Sequence, residues 1–88
     1  MPDEDGPLIH LRIESSAGGV VERDYNPNEP IRAVKVSAMG ELHIDPATEG
    51  NYRLLLNGQQ LPEDKTLAEA NVPSGATLIL APIRAEVI

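Results

Sequence analysis

Eighty-eight residues make one domain, and a domain this small buries only roughly 60–65% of the surface its unfolded chain exposes, so its core has to be efficient. The chain has no cysteine, which excludes disulfides, a thiolate nucleophile, thiol redox chemistry, an iron–sulfur cluster and a sulfur-ligated structural zinc. A formal charge of −7 repels nucleic acid and anionic membranes and favours basic protein partners. Phe and Trp are absent, so only Tyr25 and Tyr52 are aromatic and the platforms on which single-stranded nucleic acid stacks are missing.

The opening Met1-Pro2-Asp3-Glu4-Asp5-Gly6 is acidic and lacks the basic start and apolar run of a signal peptide. No window is long and apolar enough to span a bilayer. A cytosolic protein that is monomeric on its own is expected, with residues 1–7 a flexible acidic tail, 8–82 the folded domain and 83–88 an extended C-terminal tail. The run Asp3-Glu4-Asp5 lacks the loop pattern of an EF-hand and reads as solvated.

Ile9, Leu11 and Ile13 alternate with His10, Arg12 and Glu14, the period of a strand with one buried face. Ser15-Ser16-Ala17-Gly18-Gly19 has the residues of a hairpin turn, and Val20 to Tyr25 reads as the return strand. Val21 and Tyr25 face inward in that reading, with Arg23 between them, which suits a sheet edge with the arginine stem packed and its head in water. Asn26-Pro27-Asn28-Glu29-Pro30 breaks the strand and starts a helix, with Asn28 as N-cap and Pro30 in the first turn. Ile31, Val34, Ala38 and Leu42 recur at helical spacing, while Arg32, Lys35 and Glu41 fall elsewhere on the wheel. Gly40 weakens the last turns. Asp45-Pro46 is a stop, and residues 47–51 read as a polar loop.

Residues 52–56 form the third strand, Asn57-Gly58 a tight turn and 59–61 a very short fourth strand. Thr66 caps a helical turn around residues 67–70, with Glu69 completing a capping box. Pro73-Ser74-Gly75 is a turn and Thr77 to Ala81 the last strand. The order ββαββ, with a short helical turn before the final strand, predicts an α+β domain with one helix packed across a mixed sheet.

The stretch from Tyr52 to Leu80 resembles the second half of ubiquitin. The matching elements are Arg53-Leu54-Leu55-Leu56, Asn57-Gly58-Gln59-Gln60-Leu61, Lys65-Thr66-Leu67 with Asn71-Val72, and Ala76-Thr77-Leu78-Ile79-Leu80. With the hairpin and helix before it, the chain resembles the β-grasp of ubiquitin-like proteins over roughly Ile9 to Ala81, more weakly in its first half. The acidic lead, the helix entry Asn26-Pro27-Asn28-Glu29-Pro30 and the proline-rich loops are similar to the small prokaryotic ubiquitin-like proteins. The fold carries several functions, so it is a weak warrant for any one.

Alternation places Tyr52, Leu54 and Leu56 on one face of the third strand and Arg53 and Leu55 on the other, and sets Leu78 and Leu80 against Thr77, Ile79 and Ala81. With Leu54, Leu78 and Leu80 packed on the helix, Leu55, Ile79 and Ala81 emerge on the open sheet face beside Arg53. The resemblance implies a partner-binding role there, because the positions matching Leu55 and Ala81 belong to ubiquitin's recognition patch. Ala81 is smaller than the family pattern carries. Three apolar side chains on a surface are also ordinary in themselves.

The tail departs from ubiquitin. Ubiquitin-type conjugation uses a terminal glycine, whereas here the last glycine is Gly75 and the tail reads Pro82-Ile83-Arg84-Ala85-Glu86-Val87-Ile88. Three explanations stand: a non-conjugating binding protein, a modifier whose enzymes accept another end, or a precursor trimmed within the tail. Pro82 cannot donate to a ladder, so it is expected to end the last strand and leave Ile83 to Ile88 extended and exposed. Lys35 and Lys65, the two lysines, are possible linkage points and otherwise solvated surface charges. Gln59 stands at ubiquitin's best-known linkage position, and Ala70 where ubiquitin has a bracing tyrosine.

His10 and His43 lie on different elements without metal-ligand spacing. Ser15 and Ser16 have no base partner, and no P-loop pattern is present. No catalytic residue, cofactor or metal is expected. The resemblance implies a non-enzymatic modifier of a bacterial ubiquitination-like pathway, with activating, conjugating and deconjugating enzymes as protein partners. The alternative is a non-covalent accessory or adaptor subunit of a larger complex, of secretion or oxygenase type.

Overall fold

A computed structural model describes residues 7–83. The alternating apolar residues of β1 (Ile9–Ser15) and β2 (Val20–Tyr25) pair antiparallel from Ile9 opposite Tyr25 to Glu14 opposite Val20. The reversal is closed by the Ser15 N–H donating to the Gly19 carbonyl at 2.9 Å. Gly19 has φ +100°, and a Cβ there would stand 2.8 Å from Leu42 Cδ2, so the turn is pressed against the end of the helix.

The helix α1 runs Ile31–Glu41 and buries Ile31, Val34, Lys35, Ala38 and Met39. Three expectations are corrected here. Asn28 is not the N-cap: Pro30 holds that position without a side-chain bond, while the Asn26 Oδ1 accepts from the Asn28 N–H. The first free helix donors are met instead by a distant loop, Ile31 N–H reaching the Lys65 carbonyl at 2.8 Å and Arg32 N–H the Glu63 carbonyl at 3.4 Å. Leu42 is the half-buried C-cap, and Met39 takes the core position in the last turn. Lys35, expected in solvent, is only 1% exposed; its spacing of four from both Ile31 and Met39 puts it on the inner stripe.

The helix ends in a Schellman motif. Ile44 N–H donates to the Met39 carbonyl at 2.8 Å and His43 N–H to the Gly40 carbonyl at 3.2 Å. His43 carries the left-handed φ of 62° that this ending requires. The expected polar loop 47–51 is a 3₁₀ segment, Pro46–Asn51, capped by Asp45 Oδ1 accepting from the Ala47 N–H.

The strand β3 (Tyr52–Leu56) joins β4 (Gln59–Gln60) through a two-residue turn with φ 54° at Asn57 and 82° at Gly58, the sign pattern of a type I′ hairpin. β4 is one residue shorter than expected, but the Leu61 N–H still reaches the Leu54 carbonyl at 2.9 Å. The capping box forms reciprocally, Thr66 N–H to Glu69 Oε1 and Glu69 N–H to Thr66 Oγ1, both at 3.0 Å. The residues it opens stay a set of turns rather than a regular helix.

The last strand, β5 (Ala76–Pro82), runs parallel to β1 and antiparallel to β3, giving the order β2-β1-β5-β3-β4. It extends one residue beyond expectation at each end, and Pro82 ends it as expected, though from within the ladder, paired with Tyr52. Ile83 N–H donates to the Asn51 carbonyl at 2.6 Å, so alternate residues 79, 81 and 83 direct their N–H groups at β3. The donor that Pro82 lacks falls on the β1 side, where pairing has stopped at Ser15 opposite Leu80. Ile83 is 46% exposed, and Arg84 to Ile88 lie outside the described residues, as do residues 1–6.

The core lies between α1 and the inner sheet face, with Leu11, Ile13, Leu54, Leu78 and Leu80 meeting Ile31, Val34, Ala38 and Met39. β2 lies at the sheet edge as expected; Arg23 Nη1 contacts Glu41 Oε2 at 2.6 Å and its guanidinium stands 5.9 Å from the Tyr25 ring centre. His43→Gly, which removes the Cβ penalty at a left-handed position, should raise unfolding free energy by about 1 kcal/mol. His43→Val should lower it, both read from urea melts against the parent.

Candidate functional site

Register assembles the candidate surface. Leu55 stands opposite Ile79 and Arg53 opposite Ala81 across β3 and β5. All four are half-buried, while Leu54, Leu78 and Leu80 between them are fully buried on the other side. The expected face is thus one contiguous block on two central strands. Arg53 Nε is buried there without a hydrogen-bond partner.

Beyond β5 the same face turns polar. His10 Nδ1 lies 2.8 Å from Asp24 Oδ1, and its Nε2 3.5 Å from Glu22 Oε1. The hydrogen bond with Asp24, reinforced by Glu22, raises the His10 pKa above 6.5. Arg12 donates from Nε to Glu14 Oε2 at 2.9 Å and from Nη1 to Glu22 Oε2 at 2.7 Å. These are exposed pairs, which contribute little to stability. Among the described residues no group of three or more His, Asp or Glu is placed to hold a metal ion, and no helix is long and apolar enough to cross a membrane.

Lys65 is exposed, as expected. Lys35 is held on the opposite side of the sheet from the candidate face, in the layer between helix and strands. Its Nζ donates to the Tyr52 carbonyl at 3.0 Å and to Glu63 Oε2 at 2.6 Å, and pairs with Glu49 Oε1 at 3.0 Å. Arg32 Nη2 donates to the other Glu49 oxygen at 2.7 Å. The Lys35 ammonium first, and the Arg32 guanidinium second, hold the Glu49 carboxyl below 4.5. A lysine with two hydrogen-bond acceptors, a further ion-pair partner and 1% exposure is not an available linkage amine in the folded protein. Glu49 and Glu63 had no sequence signal, because neither lies at a helical or strand spacing from Lys35. The signal for Lys35 was its place on the apolar stripe.

No protein family's sequence pattern matches the chain. Among solved structures it is similar to a designed protein based on ubiquitin, with a TM-score of 0.77 and 24% identity over 92% of this chain and 96% of that one. It is also similar to the ubiquitin of Caldiarchaeum subterraneum, with a TM-score of 0.75 and 22% identity over 92% of this chain and 100% of that one. The mixed five-stranded sheet with α1 packed on it is therefore the ubiquitin-like β-grasp, an α+β fold. At this identity the likeness is one of fold.

Lys35→Ala removes a packed stem and three polar contacts, and should cost about 2–4 kcal/mol in urea unfolding. In the folded parent, an amine-acylating reagent should modify Lys65 well before Lys35. Glu49 makes a separate pH prediction. Its depressed pKa stabilises the fold above 4.5, and that contribution is lost as pH falls through the lower folded value. Urea midpoints recorded from neutral to acidic pH should therefore fall less steeply for Glu49→Gln than for the parent.

Proposed function

We propose that this protein is the modifier of a bacterial ubiquitination-like pathway, recognised through the Leu55–Ile79 face and acted on through its C-terminal tail. The observation that carries the reading is the direct pairing of Leu55 with Ile79 and of Arg53 with Ala81 on the open sheet face. Half-buried apolar side chains on two paired central strands form a rigid contact surface, and covering what remains exposed of Leu55 and Ile79 contributes about half of the roughly 1.5–3 kcal/mol that burial of a fully exposed side chain gives. Activating and conjugating enzymes are the partners that would read such a face, with the tail from Pro82 onward as the segment presented for transfer. Lys65 is then the linkage lysine that folding leaves accessible.

A second reading, a non-covalent adaptor subunit of a larger complex, is favoured by one feature of the sequence: residues 76–88 contain no glycine. Both readings use the same face and differ in what happens to the tail. Intact-mass measurement on protein from its native cells separates them. Trimming within the tail, or other proteins carrying this chain's mass as an increment, supports the modifier; an untrimmed chain in a stoichiometric complex supports the adaptor.

The face has its own test. Leu55→Ala with Ile79→Ala should abolish association with the partners that co-purify with the parent, while the thermal melt stays close to the parent's because neither residue belongs to the fully buried core. Normal partner binding by a folded double variant would remove the face from the mechanism.

A further inference from the structure

The contact face does not stop at β5. Register carries the row through Leu55 and Ile79 onward to Glu14 on β1 and Val20 on β2: Leu55 pairs with Ile79, Ile79 with Glu14, and Glu14 with Val20. Directly paired residues share a face, so all four project from the open side of the sheet. Val20 is 47% exposed, one of the three most exposed large apolar side chains among the described residues. It follows Gly19, whose backbone is pressed against Leu42, so it is held by the fold even though it adjoins a turn.

Glu14 sits between Val20 and Ile79 with half of its carboxylate in use. Oε2 accepts from Arg12 Nε at 2.9 Å, and among the described residues Oε1 has no ion-pair partner. Arg12 is in turn shared with Glu22, which also lies 3.5 Å from His10 Nε2, so three carboxylates, Glu14, Glu22 and Asp24, face one guanidinium and one imidazole and the strip stays acidic. A row of apolar, acidic, apolar and apolar side chains is a complementary template for a partner that is apolar, basic, apolar and apolar.

Spacing indicates the partner's backbone. Neighbouring strands lie about 4.8 Å apart, so Glu14, Ile79 and Leu55 stand about 5, 10 and 14 Å from Val20 along the row. Residues i+4, i+7 and i+11 of an α-helix rise about 6, 10.5 and 16.5 Å along its axis and share one face. An extended strand, with same-face residues about 6.6 Å apart, falls out of step by the second position. We propose that the surface binds an amphipathic helix of a partner protein, laid across the strands, with apolar side chains over Val20, Ile79 and Leu55 and a lysine or arginine over Glu14. A second copy of this chain is the poorer occupant, because its charge of −7 would be brought against the same acidic strip.

This inference rests on the proposed use of the Leu55–Ile79 face, and one experiment tells the two apart. The probes are two synthetic helical peptides that carry leucine at i, i+7 and i+11 and either lysine or glutamate at i+4, titrated into the isotope-labelled full chain and followed by amide NMR. The lysine peptide should shift the amides of Val20, Glu14, Ile79 and Leu55 and bind about tenfold more tightly than the glutamate peptide, a difference of about 1.4 kcal/mol. Glu14→Gln should remove that preference, and Val20→Ser should weaken the lysine peptide about tenfold with an otherwise unchanged amide spectrum.

Shifts confined to Leu55 and Ile79, or a charge preference that survives Glu14→Gln, overturn the extended site and leave the narrower face standing. Binding of neither peptide at Leu55 or Ile79 overturns both. Concentration-dependent dimerisation lost in Val20→Ser would assign the face to a second copy and overturn the helix.

Discussion

The helix α1, the 3₁₀ segment and the loop after β4 meet at one buried ammonium. Lys35 sits in the layer between α1 and the sheet and reaches the Tyr52 carbonyl, Glu63 and Glu49. Those acceptors belong to the first residue of β3, the loop after β4 and the 3₁₀ segment. A charge held out of water is tolerated only when its donors are all met. The ammonium therefore fixes where those pieces must lie, and it ties the helix to the strand that carries Leu55. The Lys65 and Glu63 carbonyls repeat the theme at the start of the helix, where loop backbone supplies what a side-chain cap would otherwise provide.

The two sides of the sheet are linked by the same register. Since side chains alternate with period two, a slip of β3 by one residue would carry Leu54 out to solvent and Leu55 into the core, and a slip of β5 would do the same to Leu78 and Leu80 against Ile79. The core thus determines the candidate face, without that face needing contacts of its own to hold it. The hairpin at Asn57-Gly58 adds a second constraint, because a two-residue turn with both φ values positive admits one pairing of β3 with β4.

The strands, the helix and the outward set Arg53, Leu55, Ile79 and Ala81 were legible because each rests on local periodicity. Sequence reading failed where partners are distant in the chain. The helix cap was assigned to Asn28 by local preference, whereas the carbonyls that meet the first N–H groups come from residues 63 and 65. Charge alone puts Lys35 in solvent, although its spacing from Ile31 and Met39 points inward; the acids that make burial tolerable lie 14 and 28 residues away. That β5 ends at Pro82 is legible from its missing donor, whereas its pairing with Tyr52 depends on which neighbour that donor would have faced, a property of the assembled sheet. Val20 and Glu14 join the face only through pairings from β2 to β1 to β5, which no single strand's alternation discloses.

The place of β5 in the sheet bears on how the chain reaches this structure. Among the described residues it is the last strand in sequence and central in space, the one that touches both hairpins. Until residues 76–82 are available, the β1–β2 hairpin and the β3–β4 hairpin have no pairing with each other, and Leu11, Ile13 and Leu54 have no Leu78 or Leu80 to pack against. Closing the sheet joins positions more than sixty residues apart, as in Leu11 beside Ala76, which is the kind of contact that slows folding. On a ribosome the domain would remain two unjoined halves through most of its synthesis, and the cooperative step would wait for its final strand.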